Sequence, residues 1–158
     1  IVFALLTAVY TAFLFAQAKG RDFWQSPMLG LHMILHALMA GFAVLLLITY
    51  LMPATVGMMM MVGFFTIALL AFHLITLAIE LTTTHSTEDA HATVRSIVKG
   101  EFAKQFWFGM IAVGNILPIV AILTGQPVFY AFAGAFILIG LWFAEDIWVN
   151  APQRIPLS

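Results

Sequence analysis

The chain has 158 residues, of which 63% are hydrophobic and only 8% are charged, and its mean hydropathy is +1.07. A soluble domain carries about 25% charged residues, so this chain has too little polar surface to face water on all sides. The net charge of −1 excludes a basic nucleic-acid-binding surface, and the lack of cysteine excludes disulfides, thiolate zinc sites and iron–sulfur ligation within the chain. A lipid bilayer is the solvent that suits this composition.

Five apolar runs, each close to the ~20 residues that cross a bilayer as a helix, predict an all-α polytopic bundle of about five transmembrane helices. No run alternates with the two-residue period of a membrane β-barrel. The chain opens within an apolar run and without an initiator Met, so we expect it to be part of a larger subunit. The helices are predicted at residues 1–18, 28–52, 55–81, 102–123 and 128–149.

A polar stretch at residues 82–101 separates the third run from the fourth. Within it, apolar residues recur at the spacing of one helix face: Ala90, Val94, Ile97 and Val98. Ser86 or Thr87 could cap the start of such a helix. We predict a short amphipathic helix over residues 87–100 that lies on the membrane interface, where it links two transmembrane helices.

The basic residues all fall at one end of the predicted helices, which we call side A, whereas the turns at the other end, side B, carry no charge. These residues are Lys19, Arg21, Arg95, Lys99, Lys104 and Arg154. By the positive-inside rule, side A is predicted to be cytoplasmic. The C-terminus and the 82–101 loop would then face the cytoplasm in a bacterial or archaeal cytoplasmic membrane.

Polar side chains inside membrane spans are costly and mark functional sites. At about 1.5 Å per residue, Tyr10, His36 and His73 are predicted at similar depth, with Asn115 slightly deeper beside a kink expected at Pro118. A second polar layer lies nearer side A: Gln17, His32, Glu80, Gln105, Glu145 and Asp146. Because histidines and carboxylates can pass protons along, the layers predict a proton path through His32, His73, Glu80, Asn115, Glu145 and Asp146. Each of these residues, taken singly, could instead simply bond a backbone carbonyl, and Glu145 and Asp146 could be solvated.

No metal site is predicted. The four consecutive methionines Met58–Met61 point in different directions around a helix and cannot converge on one ion. Two pairs of glycines predict close helix packing instead: Gly109 with Gly114, and Gly134 with Gly140.

Several stretches match a known pattern. The first three are Tyr10-Thr11, the block Lys19-Gly20-Arg21-Asp22-Phe23-Trp24-Gln25-Ser26-Pro27, and His36-Ala37-Leu38-Met39-Ala40-Gly41. The others are Ile79-Glu80-Leu81, Phe106-Trp107-Phe108-Gly109, Leu117-Pro118 and Ala151-Pro152-Gln153. Together they resemble the NrfD/PsrC family of polysulfide reductase-like membrane subunits. The five helices resemble the last five of the eight or more that family members have.

The resemblance implies a membrane subunit of a respiratory oxidoreductase complex. Such a subunit exchanges electrons between the quinone pool and an iron–sulfur, ferredoxin-like subunit, with a molybdopterin catalytic subunit beyond it. The chain itself would hold no catalytic centre and no haem, and it would bind menaquinone or ubiquinone as a substrate. Tyr10 would match the tyrosine of the family's quinone pocket. A Tyr or His bonded to a quinone oxygen can orient the ring and accept a proton, so Tyr10 and His36 are the predicted quinone ligands.

Two alternatives stay open, because His32 and His36 stand where family members more often have apolar or small residues. One is a b-type cytochrome anchor in which His36 and His73, at similar depth on neighbouring helices, are the axial haem ligands. The other is a passive anchor or part of a transporter, although the five helices contain no visible inverted repeat.

Overall fold

The computed structural model describes residues 2–18, 20–52, 55–83 and 87–156, and over these ranges the chain is helical without a strand. The predicted all-α class is therefore confirmed. Lys19, residues 53–54 between the second and third predicted helices, and the candidate cap Ser86 lie outside the described residues. The helices are α1 Val2–Ala16, α2 Met28–Leu51, α3 Val56–Thr82, α4 Glu88–Lys99, α5 Gln105–Leu123 and α6 Pro127–Gln153.

Four of the helices, α2, α3, α5 and α6, are long and apolar enough to cross a membrane. The first helix, α1, has 15 residues and is therefore about 22 Å long at about 1.5 Å per residue. The outside of the bundle carries large apolar side chains such as Phe3 and Phe108, which are 84% and 73% exposed. An outer surface of this kind is suited to lipid, and the chain is an integral membrane protein.

Helices α2 and α6 form the centre of the bundle, because α6 packs on α2 and α5, while α2 also packs on α1 and α3. Two glycines of α6 permit the close approach. A Cβ on Gly134 would lie 2.5 Å from the carbonyl oxygen of Ala43 on α2, and Gly140 faces the backbone of Gly114 on α5 with no room for a side chain. The glycine spacing thus indicated real helix contacts.

The amphipathic helix predicted over residues 87–100 is present as α4. The Thr87 hydroxyl accepts a hydrogen bond from the Ala90 N–H at 3.4 Å and so caps its start. The buried face of α4 carries Ala90, Thr93 and Ile97, and it packs at side A against α6 and a single 3-10 turn, Asp22–Gln25, that precedes α2.

The end of α6 is fixed by the loop between α1 and α2. Pro152 has no N–H, so the carbonyl of Trp148 one turn earlier lacks its usual helical donor. The Trp24 indole N–H donates to that carbonyl at 2.8 Å, and the Arg21 guanidinium donates to the carbonyl of Pro152 at 2.8 Å. These contacts allow α6 to continue past its predicted end at Val149.

Two apolar cores follow each other along the bundle. The side-A core includes Phe23, Met33, Leu77, Ile97, Phe106 and Trp148. The side-B core includes Met39, Ala43, Leu46, Leu70, Ile122 and Ile137. Because Met33 and Met39 of α2 belong to different cores, as do Leu70 and Leu77 of α3, the level between them is free for polar residues.

Candidate functional site

Five polar side chains of α2, α3 and α5 are buried in the bundle, some between the two cores and some at the level of the side-A core. They are His32, His36, His73, Glu80 and Asn115, and each is at most 6% exposed. The two histidines of α2 are four residues apart and so share a helix face, as do His73 and Glu80 of α3 at a spacing of seven. Groups buried in this way cost roughly 2–7 kcal/mol each unless they find partners, so their partners decide what the site can do.

Most of the site is one chain of hydrogen bonds that crosses four helices. Glu145 Oε1 of α6 lies 2.7 Å from His36 Nδ1, and His36 Nε2 lies 3.4 Å from His73 Nε2. His73 Nδ1 lies 3.0 Å from Asn115 Oδ1, and Asn115 Nδ2 donates to the Met110 carbonyl at 2.8 Å. This series of hydrogen bonds therefore links a carboxyl group on α6 to a backbone carbonyl on α5.

The end at Asn115 fixes where the protons lie. Because the Asn115 NH₂ group donates to a carbonyl, its oxygen must accept from the N–H at His73 Nδ1. His73 Nε2 is then an acceptor, so His36 donates to it from Nε2. One further proton lies between His36 Nδ1 and Glu145, and either group can hold it without rearranging the rest of the chain. The Glu145–His36 contact is thus the one in this hydrogen-bonded series whose donor the geometry leaves open.

A second pair, His32 and Glu80, lies beside this series of hydrogen bonds. His32 Nε2 is 2.6 Å from Glu80 Oε2, which is an ion-pair distance, but the two groups are not aligned as a hydrogen bond. The His32 ring centroid lies 5.5 Å from that of Trp148, and 6.1 Å and 6.0 Å from those of His36 and His73. Among the described residues, no hydrogen-bond partner is found for the ring nitrogens of His32, the carboxylate oxygens of Glu80 or the indole N–H of Trp148.

The three histidines are also close enough to suggest a metal. One ligand nitrogen from each lies within 4.8 Å of the others, whereas a tetrahedral zinc ion with bonds of about 2.0–2.1 Å needs ligands roughly 3.3 Å apart. In the structure, His36 and His73 are bonded to each other and His32 is held against Glu80. The nitrogens of the trio are thus engaged with one another or with a carboxylate.

Glu145 also borders a cavity at membrane depth. The cavity has a volume of about 350 Å³ and lies between α1, α2 and α6, with Thr11, His36 and Glu145 as polar parts of a largely apolar wall. This is within the range of small-molecule pockets, roughly 300–1,000 Å³. The Glu145 side chain is 46% exposed and that of His36 only 7%, so Glu145 connects the cavity to the buried chain.

A second, more polar cavity opens at side A. It measures about 430 Å³, and its wall includes Asp22, Gln25, Ser26, Glu80, Thr83 and Thr87. The carboxylate oxygens of Glu80 are themselves buried, so Glu80 stands between this cavity and His32. The titratable cluster consequently reaches from one cavity to the other.

The structure brings together His32, His36, His73, Glu80, Asn115 and Glu145, but not every predicted site residue. Tyr10 is 61% exposed on the outer face of α1, and its neighbour Thr11 lines the cavity instead. The role of Tyr10 in quinone binding stays a prediction. Asp146 accepts hydrogen bonds from Asn150 at 2.8 Å and from Gln105 at 3.4 Å, so its carboxylate faces α5 and lies apart from the cluster.

Two features of the site were not foreseen. No motif marks Trp148, although it follows Glu145 by three residues and so shares its helix face. The first part of α5, Gln105–Ile116, is a π-helix. Phe106 and Asn115 are both buried, yet nine residues make about two and a half turns of an α-helix and would put them on opposite faces. The wider π-helix turns Asn115 towards His73.

Comparison with known proteins gives one family. The family described as polysulphide reductase, NrfD, has a model that matches residues 1–145. No curated protein matches the chain, and no solved structure matches it.

Proposed function

We propose, because the chain belongs to the polysulphide reductase NrfD family, that it is the membrane subunit through which a respiratory oxidoreductase complex exchanges electrons with the quinone pool. Its partners would be an iron–sulfur subunit and, beyond that subunit, a molybdopterin catalytic subunit. One observation carries the proposal: the cavity at membrane depth ends on the Glu145–His36 pair, where the buried hydrogen-bonded chain can gain or lose a proton.

The head group of menaquinone or ubiquinone would occupy that cavity. Oxidation of a quinol releases two electrons and two protons, so the site must accept protons while the electrons pass to the iron–sulfur partner. Glu145 can accept the proton of a quinol hydroxyl, and His36, at 2.7 Å, can take it onward. In quinone reduction the same groups would supply the protons.

The proton would reach side A through the second pair of the cluster. From His36 and His73 it would pass to His32, whose nearest nitrogen lies within 4.8 Å of theirs, and from His32 to Glu80 at 2.6 Å. The first of these steps is longer than a hydrogen bond, so it requires His32 to turn towards the other two rings. Glu80 would then exchange the proton with the side-A cavity, which faces the cytoplasm if the positive-inside rule holds.

The haem alternative fits this arrangement less well. Axial ligation by His36 and His73 would put an iron and its flat macrocycle between their Nε2 atoms. Those atoms are 3.4 Å apart and hydrogen-bonded, and the His32 ring lies about 6 Å from both of theirs. The packed rings favour a proton relay over a porphyrin site.

The proposal is tested by turnover of the whole complex with a quinol analogue. Glu145→Gln keeps the size of the side chain and removes its ability to take a proton, so we expect quinol turnover to fall about 100-fold, in the range of a lost general base. Electron transfer from an artificial dye that reduces the partner subunits directly should be unchanged. Glu101→Gln, which removes an exposed carboxylate near side A, is the matched control and should keep full turnover.

Quinol turnover of the Glu145→Gln complex within threefold of the parent would overturn the placement of the proton acceptor. A reduced-minus-oxidised spectrum of the purified subunit, free of its partners, tests the alternative. A b-type haem band would replace the relay with His36 and His73 as haem ligands.

A further inference from the structure

A surface groove lies where α3, α4 and α5 meet, away from the cavity beside Glu145. It consists of two adjoining cavities of about 370 and 420 Å³ that share Leu81 and Val98 in their walls. The first runs down between α3 and α5, and the second lies under α4 at side A. A molecule that filled both would have one end at the membrane interface and the other in the bilayer.

The inner part of the groove is apolar. Its wall consists of Leu74, Leu77, Ala78, Leu81, Thr82, Val98, Phe106, Trp107 and Ile111. From Leu74 to Thr82 the groove follows α3 for about 12 Å, at about 1.5 Å per residue. A groove of this length and lining suits a hydrocarbon chain that lies along the helices.

The outer part of the groove is basic. His91, Arg95 and Lys99 are four residues apart, so they share one face of α4, and all three line this cavity. The side chains of Arg95 and Lys99 are exposed. Just below them, the Trp107 indole N–H donates to the Val98 carbonyl at 3.1 Å, in the position at the membrane interface where tryptophan is enriched.

We propose that this groove binds one anionic phospholipid. Its phosphate lies between Arg95 and Lys99, and one acyl chain runs down between α3 and α5. The two cations that line the groove select this occupant: a quinone tail or a zwitterionic lipid would fill the apolar part equally well, but a head group with a net negative charge is the one complementary to two adjacent cations. The lipid would fasten α4 to the transmembrane helices, whatever reaction the Glu145 site performs.

The test uses the full-length subunit in its complex, reconstituted in nanodiscs of equal parts phosphatidylglycerol and phosphatidylcholine. Native mass spectrometry should show one phosphatidylglycerol retained when the surrounding lipid is stripped. We expect the double variant R95Q/K99Q to lower that retention at least fivefold. The double variant K104Q/R154Q, which removes two exposed cations from the same side, should retain the lipid like the parent.

A second variant tests the apolar part without a change of charge. Ala78→Trp would fill the groove and should displace the lipid, whereas Ala68→Trp, at another exposed position of α3, should not. Equal retention of phosphatidylcholine, or unchanged retention in R95Q/K99Q, would overturn the proposal. So would a crosslink from position 78 to another protein segment in the complex, because that segment would then be the occupant.

Discussion

The side-B half of the bundle and the buried polar cluster satisfy their buried polar groups in different ways. In the side-B half, the hydroxyls of Thr49 and Thr66 donate to carbonyls of their own helices, those of Leu46 and Val62, both at 2.8 Å. In the cluster, the partner of His36 is Glu145, which lies 109 residues away in the chain. A threonine that bonds its own helix is satisfied as soon as the helix forms, whereas the cluster exists only once the whole bundle has assembled.

This difference separates polar groups that are satisfied within one helix from polar groups that depend on the tertiary structure. Local bonding removes the cost of a buried hydroxyl but leaves nothing that can react. The cluster keeps titratable groups in contact across helices, and in Glu80, His32 and Trp148 it keeps polar atoms for which the described residues offer no hydrogen-bond partner. Such groups are expensive in a membrane and are retained where chemistry needs them.

The largest effect on stability should follow from breaking the His32–Glu80 pair. Glu80→Leu would leave His32, which is 0% exposed, without the carboxylate beside it. Removal of one partner from a buried pair typically costs about 3–5 kcal/mol. We expect a loss of that size in the unfolding free energy of the purified complex, measured by thermal or denaturant unfolding in detergent.

The double variant H32L/E80L is the control for that prediction. With both polar partners gone and leucines of similar volume in place, most of the lost stability should return, although proton-coupled turnover should not. If the double variant were as unstable as Glu80→Leu, packing rather than pairing would explain the loss.

The helices of the bundle could be predicted from the sequence because their signal is local. Runs of apolar residues and the cap at Thr87 are each contained within one segment of the sequence. The depths of His36 and His73 followed from simple counting along their helices, and the two residues do meet.

Orientation around a helix was harder to predict. The depth of Tyr10 could be counted along its helix, but a residue's depth does not say which way it faces: Tyr10 is exposed, and Thr11 lines the cavity. Asn115 faces His73 through a π-helix that no sequence rule indicated. Glu145 and Asp146 are neighbours in sequence, and only the packing of α6 shows that one joins the cluster and the other does not.

A smaller loss of stability should follow from crowding the contact between α2 and α6 in the side-B half. Gly134→Ala would bring a Cβ to 2.5 Å from the Ala43 carbonyl oxygen, and a backbone atom cannot easily move aside. Overpacking of this kind costs about 1–3 kcal/mol, so we expect a lower unfolding temperature with unchanged quinol turnover in the complexes that remain folded. Gly41→Ala, where nothing lies within 4 Å of the added Cβ, should instead stabilise α2 by about 0.5–1 kcal/mol. Equal effects at both positions would mean that α2 and α6 do not touch at Gly134.

The smallest effect should come from Thr66. Thr66→Val removes a hydroxyl that bonds the Val62 carbonyl of its own helix, and that carbonyl keeps its helical N–H donor. The loss should stay within about 1 kcal/mol, the net value of one ordinary hydrogen bond. Asn115→Leu is the comparison, because it leaves the N–H at the buried His73 Nδ1 without its acceptor and should cost clearly more. Both losses are measured by unfolding in detergent. If they were equal, a hydrogen bond between helices in the cluster would contribute no more stability than the bond of a threonine to its own helix.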